Sequence, residues 1–245
     1  MTARAATDDF FEHDEPELVQ SLVAAHHLVA MLGLDDLTYT HISVRSRINH
    51  ECYYIARLGP LFSQVKSEDI IKLSLEGKFI SGPYSCNITG QNLYGALYRD
   101  RPDVHAALHT HTPDVIAVAS LEGGLANYSQ FSMVFYERVG YFPYDGLALE
   151  KQGVLSNSAQ QVALLMESHG AITMGKTLHE ALFYALFLEK AAQVQLKMMA
   201  TGIKPIIPSP EVSRRARDQM IAFEPDLGRR DWEALLMRLH AKRSA

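Results

Sequence analysis

The run VHAALHTHTP (Val104–Pro113) decides the fold. Its centre, Ala106-Ala107-Leu108, reads as a strand buried in a sheet, and PDVIAVASL (113–121) reads as a helix with Pro113 in its first turn. Side chains two apart on a strand project to the same face. His109 and His111 therefore present two imidazoles to one ion without contortion of the backbone. Imidazole is available unprotonated near neutral pH and suits zinc, iron and manganese alike. A third histidine, His169, opens a further strand in SHGAITMG (168–175), beside Gly170, where a missing side chain lets another group approach the backbone. Three histidine ligands leave at least one coordination position open, the pattern of catalytic rather than structural metal sites.

Working outward, Leu18, Leu22, Val23, Leu28, Val29 and Leu32 recur at three- and four-residue steps, which predicts an amphipathic helix over Glu15–Leu34, ending at Gly33. His26 and His27 read as surface or packing histidines of that helix rather than ligands. LTYTHISVRS (37–46) alternates, ECYYIARL (51–58) and KFISGP (78–83) are β-branched and aromatic, and SEDIIKLSLEG (67–77) lies between turn signals, so several short strands are expected. A short helix spans Gln91–Arg99. Past the central strand, YFPYDG (141–146) reads as a turn, LSNSAQQVALLMES (155–168) as a capped helix running into a strand, and Thr177–Thr201 as a long helix stopped by Gly202 and Pro205. The expected organisation is an N-terminal segment of residues 1–14, a domain over 15–205, and a helical extension over 206–245 that buries little alone and packs on a neighbouring subunit.

A chain of 245 residues, 47% hydrophobic and 21% charged, is of a size one core can serve. The net charge of -5 and the absence of a basic run exclude nucleic acid as an expected partner, and no apolar stretch reaches the length of a membrane span. The acidic N-terminus is unlike a secretory signal, so a soluble cytoplasmic protein is expected. Cys52 and Cys86 are far apart and have no metal-type spacing, and they read as free thiols.

The stretches YTHISVR (39–45), GQNLYGALYRDRPDVHAALHTHTP (90–113), YFPYDG (141–146) and ESHGAITMGKTLHEALFYALFLEKAAQVQ (167–195) are similar, in order and spacing, to the class II aldolase/adducin family. The resemblance covers about residues 15–205, with the HTH and SHGA elements as its most specific parts. It implies a three-layer α/β/α sandwich with a central, mainly antiparallel sheet, a homotetramer, and metal binding by His109, His111 and His169. The position of the aldolases' glutamate corresponds to Gly90, a histidine common in relatives corresponds to Tyr94, and Thr40-His41 stands where the phosphate loop opens with Gly-Asn.

The resulting expectation is a metal-dependent lyase of aldolase or decarboxylase type on a small anionic carbonyl or carboxylate compound. One divalent metal per chain is expected, zinc first, with manganese or iron as the alternatives. With the glutamate absent, another residue must move the proton, and the candidates are His41 first, then Tyr94 and Tyr144. Arg45 and Ser43, two residues apart on the same strand face, are the candidate anchors for the substrate's anionic group, with a structural ion pair as the alternative for Arg45. Glu180, Glu189 and Gln193 in the long helix read as solvated or paired. Two other readings stay open: a non-haem iron oxygenase, since three imidazoles also suit ferrous iron, and a non-catalytic interaction domain of adducin type.

Overall fold

The computed structural model describes residues 14–83, 85–144, 146 and 160–244. Its eight strands are β1 (His41–Arg45), β2 (Cys52–Ala56), β3 (Ile70–Ser74), β4 (Phe79–Ser81), β5 (Ala106–Thr110), β6 (Val139–Phe142), β7 (Ala163–Met166) and β8 (Gly170–Gly175). They form one sheet in the order β4-β3-β2-β1-β5-β8-β7-β6, antiparallel throughout except for the parallel pair β6 and β7. The helices are α1 (Pro16–Met31), α2 (Ile88–Asp100), α3 (Pro113–Ala119), α4 (Gln130–Met133), α5 (Leu178–Met199), α6 (Pro210–Phe223) and α7 (Arg229–Ser244).

The sheet is covered on both faces, which makes the expected three layers. On one face α2 lays Leu93, Tyr94, Leu97 and Tyr98 against Tyr53, Ile55, Ala107 and Ile172. On the other, α1, α5 and α7 close over Ile42, Val44 and Leu108, and α3 and α5 over Ala163, Leu165 and Ala171. The alternation of β1 is therefore not an alternation of core and water, because all five of its residues are buried. Its polar set, His41, Ser43 and Arg45, faces the tyrosines of α2.

Local signals fix the ends of the elements. Pro16 sits in the first turn of α1, and the helix ends where Gly33 adopts φ +68° and the Leu34 N–H reaches the Val29 carbonyl at 3.0 Å. Asn87 caps α2 by accepting from the N–H groups of Thr89 and Gly90, so the helix begins three residues before the expected Gln91. Thr177 caps α5, and the Glu180 carboxylate reaches back to the Lys176 N–H at 2.7 Å. YFPYDG departs from a pure turn, since Tyr141 and Phe142 complete β6. Residues 155–159 of the expected capped helix lie outside the described residues, while its continuation forms β7.

The helices of the 206–245 segment lie against their own chain. Trp232 and Leu239 of α7 join the core under α1, and His179 of α5 meets the Asp226 carboxylate at 2.6 Å. Both cysteines are free, Cys52 buried and Cys86 half-buried. Among the described residues no helix is long and apolar enough to cross a membrane.

Candidate metal centre

The antiparallel register sets His41 of β1 opposite His109 of β5, with Ile172 of β8 on the other side of His109. His111 lies just past the end of β5, and His169 sits in the turn from β7 to β8. That turn closes tightly because Gly170 lacks a Cβ, which would stand 2.2 Å from the Thr110 carbonyl oxygen and 3.1 Å from the His111 ring. The close approach expected at Gly170 is thus made by the very strand that carries the other two histidines. His109, His111 and His169 bring three ligand atoms within 4.8 Å of one another, and the His169 ring centroid is 5.0 Å from each of the other two.

The donor set fits a metal cation. The His109 Nδ1–H donates to the Ala171 carbonyl, and the His111 Nδ1–H donates to the Asp36 carboxylate, each at 3.1 Å. Neither partner can donate in return, so each ring carries its proton on Nδ1 and a lone pair on Nε2. Those two Nε2 atoms face each other at 2.8 Å. Two lone pairs at that distance repel unless a cation lies between them. A proton is disfavoured there, because burial and the neighbouring imidazoles hold His109 well below the usual histidine range. Carboxylate and carbonyl partners on the far side of ligand imidazoles are also the usual outer support of a bound metal. Two turns that deliver these groups contain a non-glycine residue at positive φ, Leu37 at +48° beside Asp36 and Ser168 at +55° beside His169.

His41 is the fourth imidazole here, its ring centroid 4.8 Å from that of His109. The space next to it is provided by Gly90, where a Cβ would meet His41 Cδ2 at 3.1 Å and Ile55 Cδ1 at 3.2 Å. The position aligned with the missing glutamate therefore faces an imidazole supplied by β1. The Tyr94 hydroxyl donates its single proton to the His41 carbonyl at 2.7 Å, so at the 2.9 Å contact with Nδ1 its oxygen accepts. His41 is then an Nδ1–H tautomer, and burial holds its imidazole down to about 3.

The remaining candidates separate. Tyr94 is fully buried and its phenol is pushed well above the usual tyrosine range by that burial, so it keeps its proton and orients His41. Ser43 shares a hydrogen bond with the Tyr98 hydroxyl at 2.7 Å. Arg45, the candidate anion anchor, is turned toward the backbone of its own chain. Its guanidinium is buried against the Tyr98 ring and donates to the carbonyls of Val104, His50, Tyr98 and Arg101, which ties β1 to the end of α2. Tyr144 is exposed, its N–H directed at Glu167, and no contact joins it to the histidines among the described residues. Glu180 caps α5 and Glu189 accepts from Gln193 at 2.9 Å, so neither belongs to the cluster. Two residues went unread in the sequence. One is Asp36, whose loop gives no periodic signal, and the other is Arg57, which lines a recess of about 20 Å³ together with His41, Thr40 and Asn87.

The model of the Class II Aldolase and Adducin N-terminal domain matches residues 20–196. The chain belongs to the class II aldolase/adducin family. A solved aldolase II superfamily protein from Pseudomonas syringae superposes with a TM-score of 0.85 at 29% identity, over 96% of each chain. An L-fuculose 1-phosphate aldolase from Glaciozyma antarctica shares the class II aldolase fold with a TM-score of 0.82, covering 98% of this chain and 95% of that one, at 24% identity. The family's two branches both appear among similar sequences. A Caulobacter vibrioides protein provisionally named for aldolase class 2 is 29% identical over 89% of this chain and 87% of its own. Rat alpha-adducin is 27% identical over 80% of this chain, which spans about a quarter of the adducin, 27% of its length.

Proposed function

We propose that this class II aldolase/adducin protein is a metal-dependent lyase of aldolase or decarboxylase type, acting on a small carbonyl or carboxylate compound with one divalent metal per chain, zinc first. The observation that carries the reading is the pair of bare Nε2 atoms of His109 and His111 at 2.8 Å, with His169 completing the set. A divalent metal held by these residues supplies Lewis-acid polarisation of a substrate oxygen, which aldol cleavage and some decarboxylations share as a requirement. His41 is the proton carrier in this reading. Its ring is held by Tyr94 and its lone pair is on Nε2. Because burial disfavours the imidazolium, Nε2 accepts a proton only when negative charge develops beside it. Arg57 replaces Arg45 as the candidate grip on the substrate's anionic end. It shares the recess with His41 and keeps 40% of its side chain exposed while its Nε meets Asp69 at 2.6 Å. The homotetramer expected from the family belongs to the same reading.

Elemental analysis of protein purified without oxygen tests it. About one zinc or manganese per chain supports the lyase, and iron moves oxygen chemistry ahead, since three neutral imidazoles serve ferrous iron equally well. No metal after reconstitution favours a non-catalytic interaction role, the reading that similarity to the adducins keeps in play. Loss of bound metal in His109→Ala and His169→Ala, with retention in His26→Ala, assigns the ligands.

A further inference from the structure

The strand pair that carries the histidines has a second end. β5 and β8 run antiparallel, with Thr110 beside Ala171 at the metal centre and Ala106 beside Gly175 at the other extreme. At about 3.3 Å per residue the two ends lie about 13 Å apart. The far end opens into a cavity of about 380 Å³, whose wall comes from the turn 101–104, Arg138 ahead of β6, the junction of β8 with α5, and α6. Four cationic side chains line it, Arg101, Arg138, Lys176 and Arg217, against three carboxylates, Asp103, Glu180 and Asp218. The carboxylates are engaged within the chain. Asp103 takes two arms of the Arg101 guanidinium at 2.8 and 2.7 Å, and Asp218 accepts from the Arg217 Nε at 2.8 Å. Glu180 accepts from the Lys176 N–H at 2.7 Å and from the Tyr184 hydroxyl at 3.2 Å.

Two cations are left over. The Lys176 ammonium forms no ion pair among the described residues. Arg138 meets only neutral acceptors among them, the carbonyls of Gln160 at 3.3 Å and Val134 at 3.2 Å and the Tyr184 hydroxyl at 3.3 Å, and its guanidinium lies 5.5 Å from the centre of the Tyr184 ring. These contacts are long for a charged donor, so they fix the plane of the guanidinium without cancelling its charge. Val104, Val162, Met174 and Ile221 make another part of the wall apolar. Uncompensated cations in a concave site with an apolar wall are the complement of a small organic anion. We infer that this cavity binds such an anion, with its carboxylate or phosphate held by Arg138 and Lys176 and its carbon body against Val162, Met174 and Ile221. The site is separate from the metal centre and does not depend on it.

Calorimetric titration of the full chain with phenyl phosphate, which carries both a charged head and an apolar body, tests the inference at low salt. Wild type is expected to bind it saturably, and His169→Ala, which breaks the metal ligand set, to keep one saturable site. Lys176→Gln alters an exposed side chain and leaves the packing alone, whereas Arg138→Gln removes the fixed guanidinium. Each change, made in the His169→Ala background, is expected to weaken that site by about tenfold or more, the effect of losing one charged hydrogen bond. Arg215→Gln, an exposed change on α6 outside the cavity wall, is expected to leave it as it was. If Arg138→Gln disturbs the packing around Tyr184, Lys176→Gln decides alone. Absence of saturable binding to wild type overturns the proposal. So does a site lost in His169→Ala, which would put the probe on the metal centre, or one that Lys176→Gln leaves unchanged.

Discussion

Asp36 decides which nitrogen of His111 is free, because a carboxylate can only accept, and it thereby aims Nε2 at the other ligands. Removing it in Asp36→Ala leaves the ligands in place but frees the ring to turn. Loss of such outer support costs about 10–100-fold in metal affinity, so a competitive chelator titration is expected to show a weakening of that size with the fold intact by circular dichroism. A buried histidine outside the cluster gives a pH dependence. His26 is buried on α1 beside Phe62, and desolvation holds it down to about 4 from an ordinary 6.5. Between those values the unfolded chain binds a proton that the folded chain refuses. Its contribution is complete above about 6.5 and is lost as pH falls, by at most about 1.4 kcal/mol per pH unit. Urea midpoints from pH 7 to pH 4.5 are expected to fall less steeply in His26→Leu than in wild type. At this scale the two-residue spacing of His109 and His111 was legible in the sequence. Asp36 was not, because it lies 75 positions from the ring it orients in a loop without periodicity. Arg45 stayed open between anion anchor and structural partner because alternation shows which face a side chain takes and not that α2 covers that face.

Strand and helix assignments followed from pattern, since α1, α5 and the run into β5 each carry a strong apolar period with a proline, glycine or hydroxyl cap at the boundary. The start of α2 was missed by three residues because Asn87 caps it ahead of any apolar repeat. The polar alternation of β1 gave no hint that both faces are buried, as this depends on a helix more than forty residues later. Two glycines show how elements press on one another. In an exposed helix Gly→Ala stabilises by about 0.8–1 kcal/mol. At Gly90 the new methyl stands 3.1 Å from His41 and 3.2 Å from Ile55, so Gly90→Ala is expected to show none of that gain in urea unfolding. Gly170→Ala is harsher, since its methyl would stand 2.2 Å from a backbone oxygen of β5, which cannot swing away. The β5–β8 junction must part, and a destabilisation of about 3 kcal/mol or more is expected, together with loss of metal binding.

For the whole molecule, the site joins segments that the chain keeps far apart: the loop after α1 through Asp36, the end of β5 through His109 and His111, and the turn before β8 through His169. A ligand that binds the folded chain alone adds RT ln(1 + [L]/Kd) to its stability, about 4 kcal/mol at a thousandfold excess over Kd. Removing the metal with a chelator is therefore expected to lower the melting temperature by several degrees, and adding it back to restore it. The loss is not spread evenly. Loop 33–40 and turn 167–170 each contain a residue at positive φ that surrounding contacts must hold, so hydrogen exchange is expected to rise there first. The packing of α7, built on Trp232 and Leu239 against α1, does not depend on the ion, and its exchange is expected to stay unchanged. Equal acceleration in α7 and in the two turns would mean that the metal supports the fold as a whole, and that the histidines hold it for structure instead of chemistry.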